Sequence, residues 1–229
     1  MKLSEKLRLT CADLTAHGAV TLAFFGDSVT HGYFEDDVPD YDAVYHARLA
    51  RMLHRDHPIA PINVINGGIG GTTAKASLQR LERDVISHHP DLAVVCFGLN
   101  DVTGSLDEYN EAMDKIFSRL QEAGIPAALL TPCMLNTYVD EAHVRPDLLA
   151  YAHLTCECQV CGKMDRFMEA ARDCALRHGA HVCDAYAAWK AMAASGKDTT
   201  QLLCNLINHP SREMHQLFAD ELYALIQRL

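Results

Sequence analysis

At 229 residues, 49% apolar and 22% charged, the chain has the size and composition of one globular domain rather than a disordered or fibrous protein. Its formal net charge of −10 argues against a nucleic-acid partner, because neutralising phosphates needs clustered Lys and Arg. No run approaches the ~18 apolar residues of a membrane helix, and residues 1–13, where Lys2, Glu5, Lys6 and Arg8 interrupt the leucines, lack the apolar stretch of a signal peptide, so no membrane association and a cytoplasmic location are expected.

Along the chain, short apolar runs alternate with amphipathic stretches. VTLAFF (20–25) reads as a buried strand, followed by a helical pattern over 41–54. INVI (62–65) and LAVVCF (92–97) are the next two strands, with a helical pattern over 73–87 between them. In the helix expected over 106–123, Met113, Ile116, Phe117 and Leu120 share one face and leave Glu111, Asp114, Lys115 and Arg119 to solvent. It stops at Gly124 and Pro126, the usual punctuation of a helix end. AALL (127–130), a long helical pattern over 146–178, AHVC (180–183) and a final helix over 211–227 complete the series. Strands bounded by Gly, Pro, Asn or Asp and apolar on both sides indicate a parallel sheet covered on both faces, a doubly wound α/β fold. One domain, 1–229, is expected, with a helical, cysteine-containing insertion around 143–165.

In such a sheet the ligand sits outside the carboxyl ends of the strands. That rule selects Gly26-Asp27-Ser28, Asn66 to Gly71, and Gly98 to Asp101, which should converge on one crevice. Ser28, on a tight turn from strand to helix, projects a hydroxyl over the sheet edge, and needs a base to become a nucleophile. The plainer reading of Ser28 is helix capping. Glycines at 67, 68, 70 and 71 admit backbone N–H groups to a ligand, as an oxyanion-hole donor or an anion nest. A phosphate loop is not indicated, since Lys75 lies four residues beyond Gly71 and GxxxxGK[ST] is absent. Asn100 offers a neutral amide donor, or simply a helix cap with Asp101. His209, in Asn208-His209-Pro210-Ser211, sits in a stiff turn before the last helix and has the ordinary pKa of a proton shuttle.

Taken together, GDSVTHG (26–32), NGGIGGTT (66–73), GLND (98–101) and NHP (208–210) resemble, in order, the four sequence blocks of the SGNH, or GDSL, hydrolase family. The resemblance implies a three-layer α/β/α doubly wound sandwich with a mainly parallel, flavodoxin-like sheet of five strands. It implies metal-independent hydrolysis of a small-molecule ester without a cofactor. Carried over by residue, Ser28 is the expected nucleophile and His209 its base, with the Ser28 N–H, the Gly71 N–H and the Asn100 side chain as oxyanion hole. Acetyl or longer acyl esters, of a carbohydrate or another small molecule, are the expected substrates; a thioesterase or lysophospholipase variant, or a weakened site retained for binding, are the alternatives.

One position departs from the family. Where an Asp usually stands three residues before the histidine, this chain has Leu206, with Asn205 one further back. Either a backbone carbonyl orients His209 in a Ser–His dyad, the favoured expectation, or Asn205 or a distant carboxylate such as Asp198 stands third. Cys156, Cys158 and Cys161 offer three thiols at ligand-like spacing, and zinc would need a fourth donor such as His153 or Cys133. The flanks read as helix, so incidental thiols and no metal are expected. His31 is expected at the pocket rim, His215 in a structural or peripheral place, and Asp184 as a cap of the helix that follows it. The nine cysteines, an odd number set in apolar runs, suit reduced thiols rather than a disulfide framework.

Overall fold

A computed structural model describes residues 1–35 and 38–229. Its strands are β1 (Val20–Gly26), β2 (Ile62–Gly68), β3 (Leu92–Cys96), β4 (Ala127–Leu130) and β5 (His181–Cys183). They form one parallel sheet in the order β2-β1-β3-β4-β5, the flavodoxin-like doubly wound arrangement. The burial of each strand follows from its place. β3 lies inside the sheet and is buried throughout, whereas the edge strands β2 and β5 are partly exposed. Polar Asn63, Asn66 and His181 are therefore tolerated on the edges.

The helices Tyr45–Asp56 and Met214–Ile226 pack together over β2 and β5, and Leu106–Glu122 and Lys163–Arg177 pack together over β4 and β5. Phe24, Phe25, Val94 and Val95 of the central strands are fully excluded from solvent between these layers. Among the described residues no helix is long and apolar enough to cross a membrane.

Register positions the site. Gly26 pairs with both Gly68 and Cys96, so β1, β2 and β3 end at one level and their following loops meet. The approach is close: a Cβ on Gly68 would lie 2.2 Å from the His31 nitrogen, so only glycine lets the end of β2 meet the turn carrying Ser28.

Two helical expectations were too simple. The stretch 73–87 breaks into the short turns Ala74–Ser77, Leu78–Arg80 and Leu81–Asp84, because Arg80 turns inward instead of lying on a solvent face. Its guanidinium donates to the Gly67 and Gly26 carbonyls and to Ser77 Oγ, and lies 4.5 Å over the Phe25 ring. The stretch 146–178 is two helices, Leu149–Val160 and Lys163–Arg177, divided at Gly162, whose φ of +73° an L-residue side chain disfavours. The first of these helices joins a small separate apolar cluster of Val144, Ala152 and Ile207, against which Leu149, Tyr151 and Leu206 pack. The segment 144–152 is thus tied to the loop that carries His209.

Candidate active site

Immediately after β1, Asp27 Oδ1 accepts the Val29 N–H at 3.0 Å and starts the short helix Ser28–His31. This turn directs the Ser28 hydroxyl toward the loop before the last helix. There, Ser28 Oγ lies 2.9 Å from His209 Nε2, joining positions 181 residues apart. His209 Nδ1 lies 2.8 Å from the Phe34 main-chain oxygen. A carbonyl only accepts, so Nδ1 carries the proton and Nε2 is left as an acceptor for the serine hydroxyl. Burial pushes the His209 pKa below its ordinary value, and the Phe34 carbonyl opposes that shift in part. The imidazole is therefore neutral at pH 7, the form that can take a proton.

The turn holding His209 is organised by Asn205. Its Oδ1 accepts the N–H groups of Ile207, Asn208 and His209 at 3.1, 3.0 and 2.9 Å, while its Nδ2 donates to Asn208 Oδ1 at 3.0 Å. Leu206, with φ of +56°, packs against the small apolar cluster of Val144, Ala152 and Ile207. Neither expected third member reaches the imidazole. Asn205 is occupied with the main chain of its own turn. Asp198 accepts from Tyr138 Oη at 2.9 Å and from the Thr200 N–H at 3.1 Å. The Phe34 carbonyl occupies the place a carboxylate would take, and no side-chain pattern in the sequence marks a main-chain atom.

Ser28, His209, Gly71 and Asn100 line one cavity of about 530 Å³, open to solvent at the carboxyl edge of the sheet. Its remaining wall is largely apolar or aromatic, from Tyr33, Ile69, Leu148, Tyr151 and Ile207. Asn100 Nδ2 donates to the Thr72 carbonyl at 3.0 Å, which leaves its second amide hydrogen unassigned to that bond. Tyr151 Oη sits 3.5 Å from Asn100 Oδ1 and accepts from Asn208 Nδ2 at 3.2 Å. No motif in the sequence marks Tyr151, Leu148 or Ile207; the only signal is that Ile207 stands two residues before His209. A second cavity, of about 430 Å³, lies by Met1, Pro90 and His181 and contains neither Ser28 nor His209.

His31 lies on the rim, its Nδ1 accepting the Gly70 N–H at 3.2 Å. His215 is fully buried, accepts the Tyr45 N–H at 3.1 Å and stacks on the Tyr45 ring. Asp184 caps its helix through the Ala187 N–H. Two buried carboxyls stand close by: Asp27, pushed up to about 7, and Asp101, pushed up to about 6, both by loss of solvent. Asp27 Oδ2 and Asp101 Oδ2 have no hydrogen-bond partner among the described residues.

Cys156, Cys158 and Cys161 are not among the described donor groups close enough to share an ion. Cys158 faces inward with Sγ 3.7 Å from the Val102 oxygen, and exposed Cys161 contacts the Cys158 oxygen. His153 pairs with Glu141, and Cys133 Sγ donates to the Asn208 oxygen. Among the described residues, the donors close enough to share an ion are instead Asp114, Cys174 and His178, which line no part of the cavity.

A flavodoxin-like α/β/α sandwich with a serine–histidine contact, a glycine loop and an asparagine at its carboxyl edge defines a hydrolase-type protein. The family described as GDSL-like Lipase/Acylhydrolase matches residues 24–217, and the chain belongs to it, an ester hydrolase. Among solved structures, Axe2, an acetylxylan esterase from Geobacillus stearothermophilus, superposes with a TM-score of 0.69 at 22% identity, over 90% of this chain and 94% of its own. The acetyl xylan esterase AlAXEase gives 0.70 at 22% identity, over 90% and 99%. LAE5, an alpha/beta hydrolase enzyme from the metagenome of Lake Arreo, Spain, gives 0.68 at 24%, over 91% and 96%. At these identities the likeness concerns the fold. Variants of Axe2 lacking a histidine, or the aspartate three positions before it, are described as catalytic mutants. Three positions before His209 this chain has Leu206. A comparison with curated proteins finds no match.

Proposed function

We propose that this chain hydrolyses small carboxylic esters through an acyl-enzyme on Ser28, with His209 as general base in a dyad oriented by the Phe34 carbonyl. The observation that carries the reading is the chain of contacts from Ser28 Oγ to His209 Nε2 at 2.9 Å and from His209 Nδ1 to the Phe34 oxygen at 2.8 Å. In acylation, Oγ attacks the ester carbonyl carbon while its proton passes to Nε2. The carbonyl oxygen becomes an oxyanion, for which the Ser28 N–H, the Gly71 N–H and the Asn100 Nδ2–H are the proposed donors. The imidazolium then protonates the departing alkoxide, and the neutral His209 activates the water that hydrolyses the acyl-enzyme. No step calls for a metal or cofactor.

A carbonyl dipole stabilises imidazolium less than a full carboxylate charge does, so the dyad should turn over more slowly than a triad of the same geometry. The apolar wall formed by Ile69, Leu148 and Ile207 suits a short acyl group, and Tyr33 and Tyr151 offer ring faces to a flat or sugar-like alcohol. Acetyl esters of carbohydrates are therefore the substrate class to try first, the same class as that named for Axe2. Nine unpaired cysteines suit a reducing compartment, in keeping with a cytoplasmic enzyme.

Turnover of p-nitrophenyl acetate and labelling by a fluorophosphonate test the reading. Ser28→Ala should abolish both while leaving the melting temperature near wild type, and His209→Ala should be nearly as damaging, because members of one catalytic unit do not contribute independently. Labelling retained in Ser28→Ala would place the nucleophile elsewhere.

A further inference from the structure

His209 is oriented by a main-chain oxygen, and such an oxygen is only as well placed as the segment that carries it. Phe34 lies in an irregular stretch beyond the Ser28–His31 helix, where no strand or helix holds its carbonyl. The chain supplies a hold from the other side. Three residues after His209, Arg212 reaches back to the Phe34 segment, with its guanidinium carbon 4.5 Å from the centre of the Phe34 ring. Its Nη1 donates to the Glu35 carboxylate, and its Nε donates to Asp40 Oδ2 at 2.9 Å. Asp40 is itself anchored, since its N–H donates to the Gly32 oxygen at 2.9 Å and its Oδ1 accepts the Ala43 N–H at 3.0 Å. On the inner side the Phe34 ring rests on buried His215, 4.6 Å between centroids.

Resting on the Ser28–His209 reading, we infer that Arg212, bridged to Glu35 and Asp40, is a positioning residue that holds the Phe34 carbonyl on His209 Nδ1. One side chain thereby locks together the segment with the hydrogen-bond acceptor and the turn with the base. It serves by geometry where a triad would use a carboxylate. Three features favour this over an ordinary surface ion pair. The fork of Arg212 is shared between two carboxylates, Glu35 next to Phe34 and Asp40 six residues beyond it, a geometry that Lys cannot reproduce. The same side chain covers the ring of the very residue whose carbonyl is used. Finally, Arg212 holds Glu35 and Asp40 below the usual carboxylate range, so the clamp stays charged where His209 changes protonation.

All three charged groups are at least a third exposed in their side chains, and pairs of that kind add little to stability. The arrangement should therefore matter to turnover and hardly to melting. Arg212→Met keeps the aliphatic cover over Phe34 and removes the fork. With p-nitrophenyl acetate it should lower kcat on the order of 10- to 100-fold, as a slightly misplaced base does, and leave KM within about twofold. In the wild type the His209 Nδ1–H proton should give a slowly exchanging NMR resonance, and in the variant that resonance should broaden or vanish. Arg212→Lys should recover part of kcat. The double change Glu35→Gln with Asp40→Asn should mimic Arg212→Met, and adding it to Arg212→Met should cost little more, since the three groups act as one unit. If Arg212→Met does not fold, the Glu35→Gln/Asp40→Asn protein alone decides by the same readings. A folded Arg212→Met enzyme with wild-type kcat and an intact Nδ1–H resonance overturns the inference, as do losses that multiply in the combined variant. Activity retained by His209→Ala in the same assay would instead remove the dyad reading beneath it.

Discussion

Replacing Asn205 separates a residue that shapes the His209 turn from one that serves as a triad acid. Its Oδ1 accepts three main-chain N–H groups in a half-buried turn. Asn205→Ala leaves those donors without their acceptor, and at about 0.5–1.5 kcal/mol for each the loss sums to about 1.5–4.5 kcal/mol. For a chain of this length that is a fall in melting temperature of about 3–18 °C. kcat should fall as well, because His209 N–H is one of the three and the imidazole loses its fixed approach to Ser28. Asn205→Asp keeps the acceptor but sets a carboxylate oxygen against Asn208 Oδ1, where the amide now donates at 3.0 Å. The aspartate protein should melt between wild type and Asn205→Ala, with no gain in activity and no upward move of the acidic limb, because the Phe34 oxygen already occupies His209 Nδ1. Thermal melts and pH–rate profiles on p-nitrophenyl acetate measure both. An Asn205→Asp enzyme that is faster than wild type, with its acidic limb raised, would show that a carboxylate there reaches the imidazole and would refute the argument.

The remaining predictions concern protons and packing. Because burial lowers the His209 pKa, the acidic limb of kcat/KM should lie below the ordinary histidine value of 6.5, and a limb above it would mean that the base is another group. Asp27, raised to about 7, keeps its proton in the fold over a range where the unfolded chain has lost it, so it contributes stability at low pH that is lost as pH rises toward 7. Asp27→Asn retains the cap on Val29 and removes this loss, so urea unfolding should show the variant gaining on wild type between pH 4 and 8; equal pH slopes would show that the carboxyl is solvated. Gly68→Ala places a methyl 2.2 Å from the His31 nitrogen, so it should melt well below wild type and lose activity, and a fully active, equally stable variant would contradict the close approach of β2 to the Ser28 turn.

Much of this protein is written locally in its chain. Apolar runs bounded by Gly, Pro or Asp mark all five strands, four within a residue of their observed limits and β2 short by the three residues Asn66–Gly68, and their alternation with helices leads to a doubly wound parallel sheet. The strand ends then point to Ser28, the glycine loop and Asn100, since short-range patterning and backbone geometry are properties of neighbouring residues. The sequence left open what oriented His209. Tertiary structure decided it with a contact between residues 175 positions apart, made by a main-chain oxygen that any residue at position 34 would carry. It likewise assigned Asn205 to a turn, Leu206 to an apolar cluster and Asp198 to Tyr138, and it turned Arg80 inward to break a helix that periodicity alone would continue. Side-chain type limits what a group can donate or accept. Which partner it meets depends on long-range packing, where the register of β1 against β2 and β3 and the return of the last loop over the sheet bring distant atoms within hydrogen-bond reach.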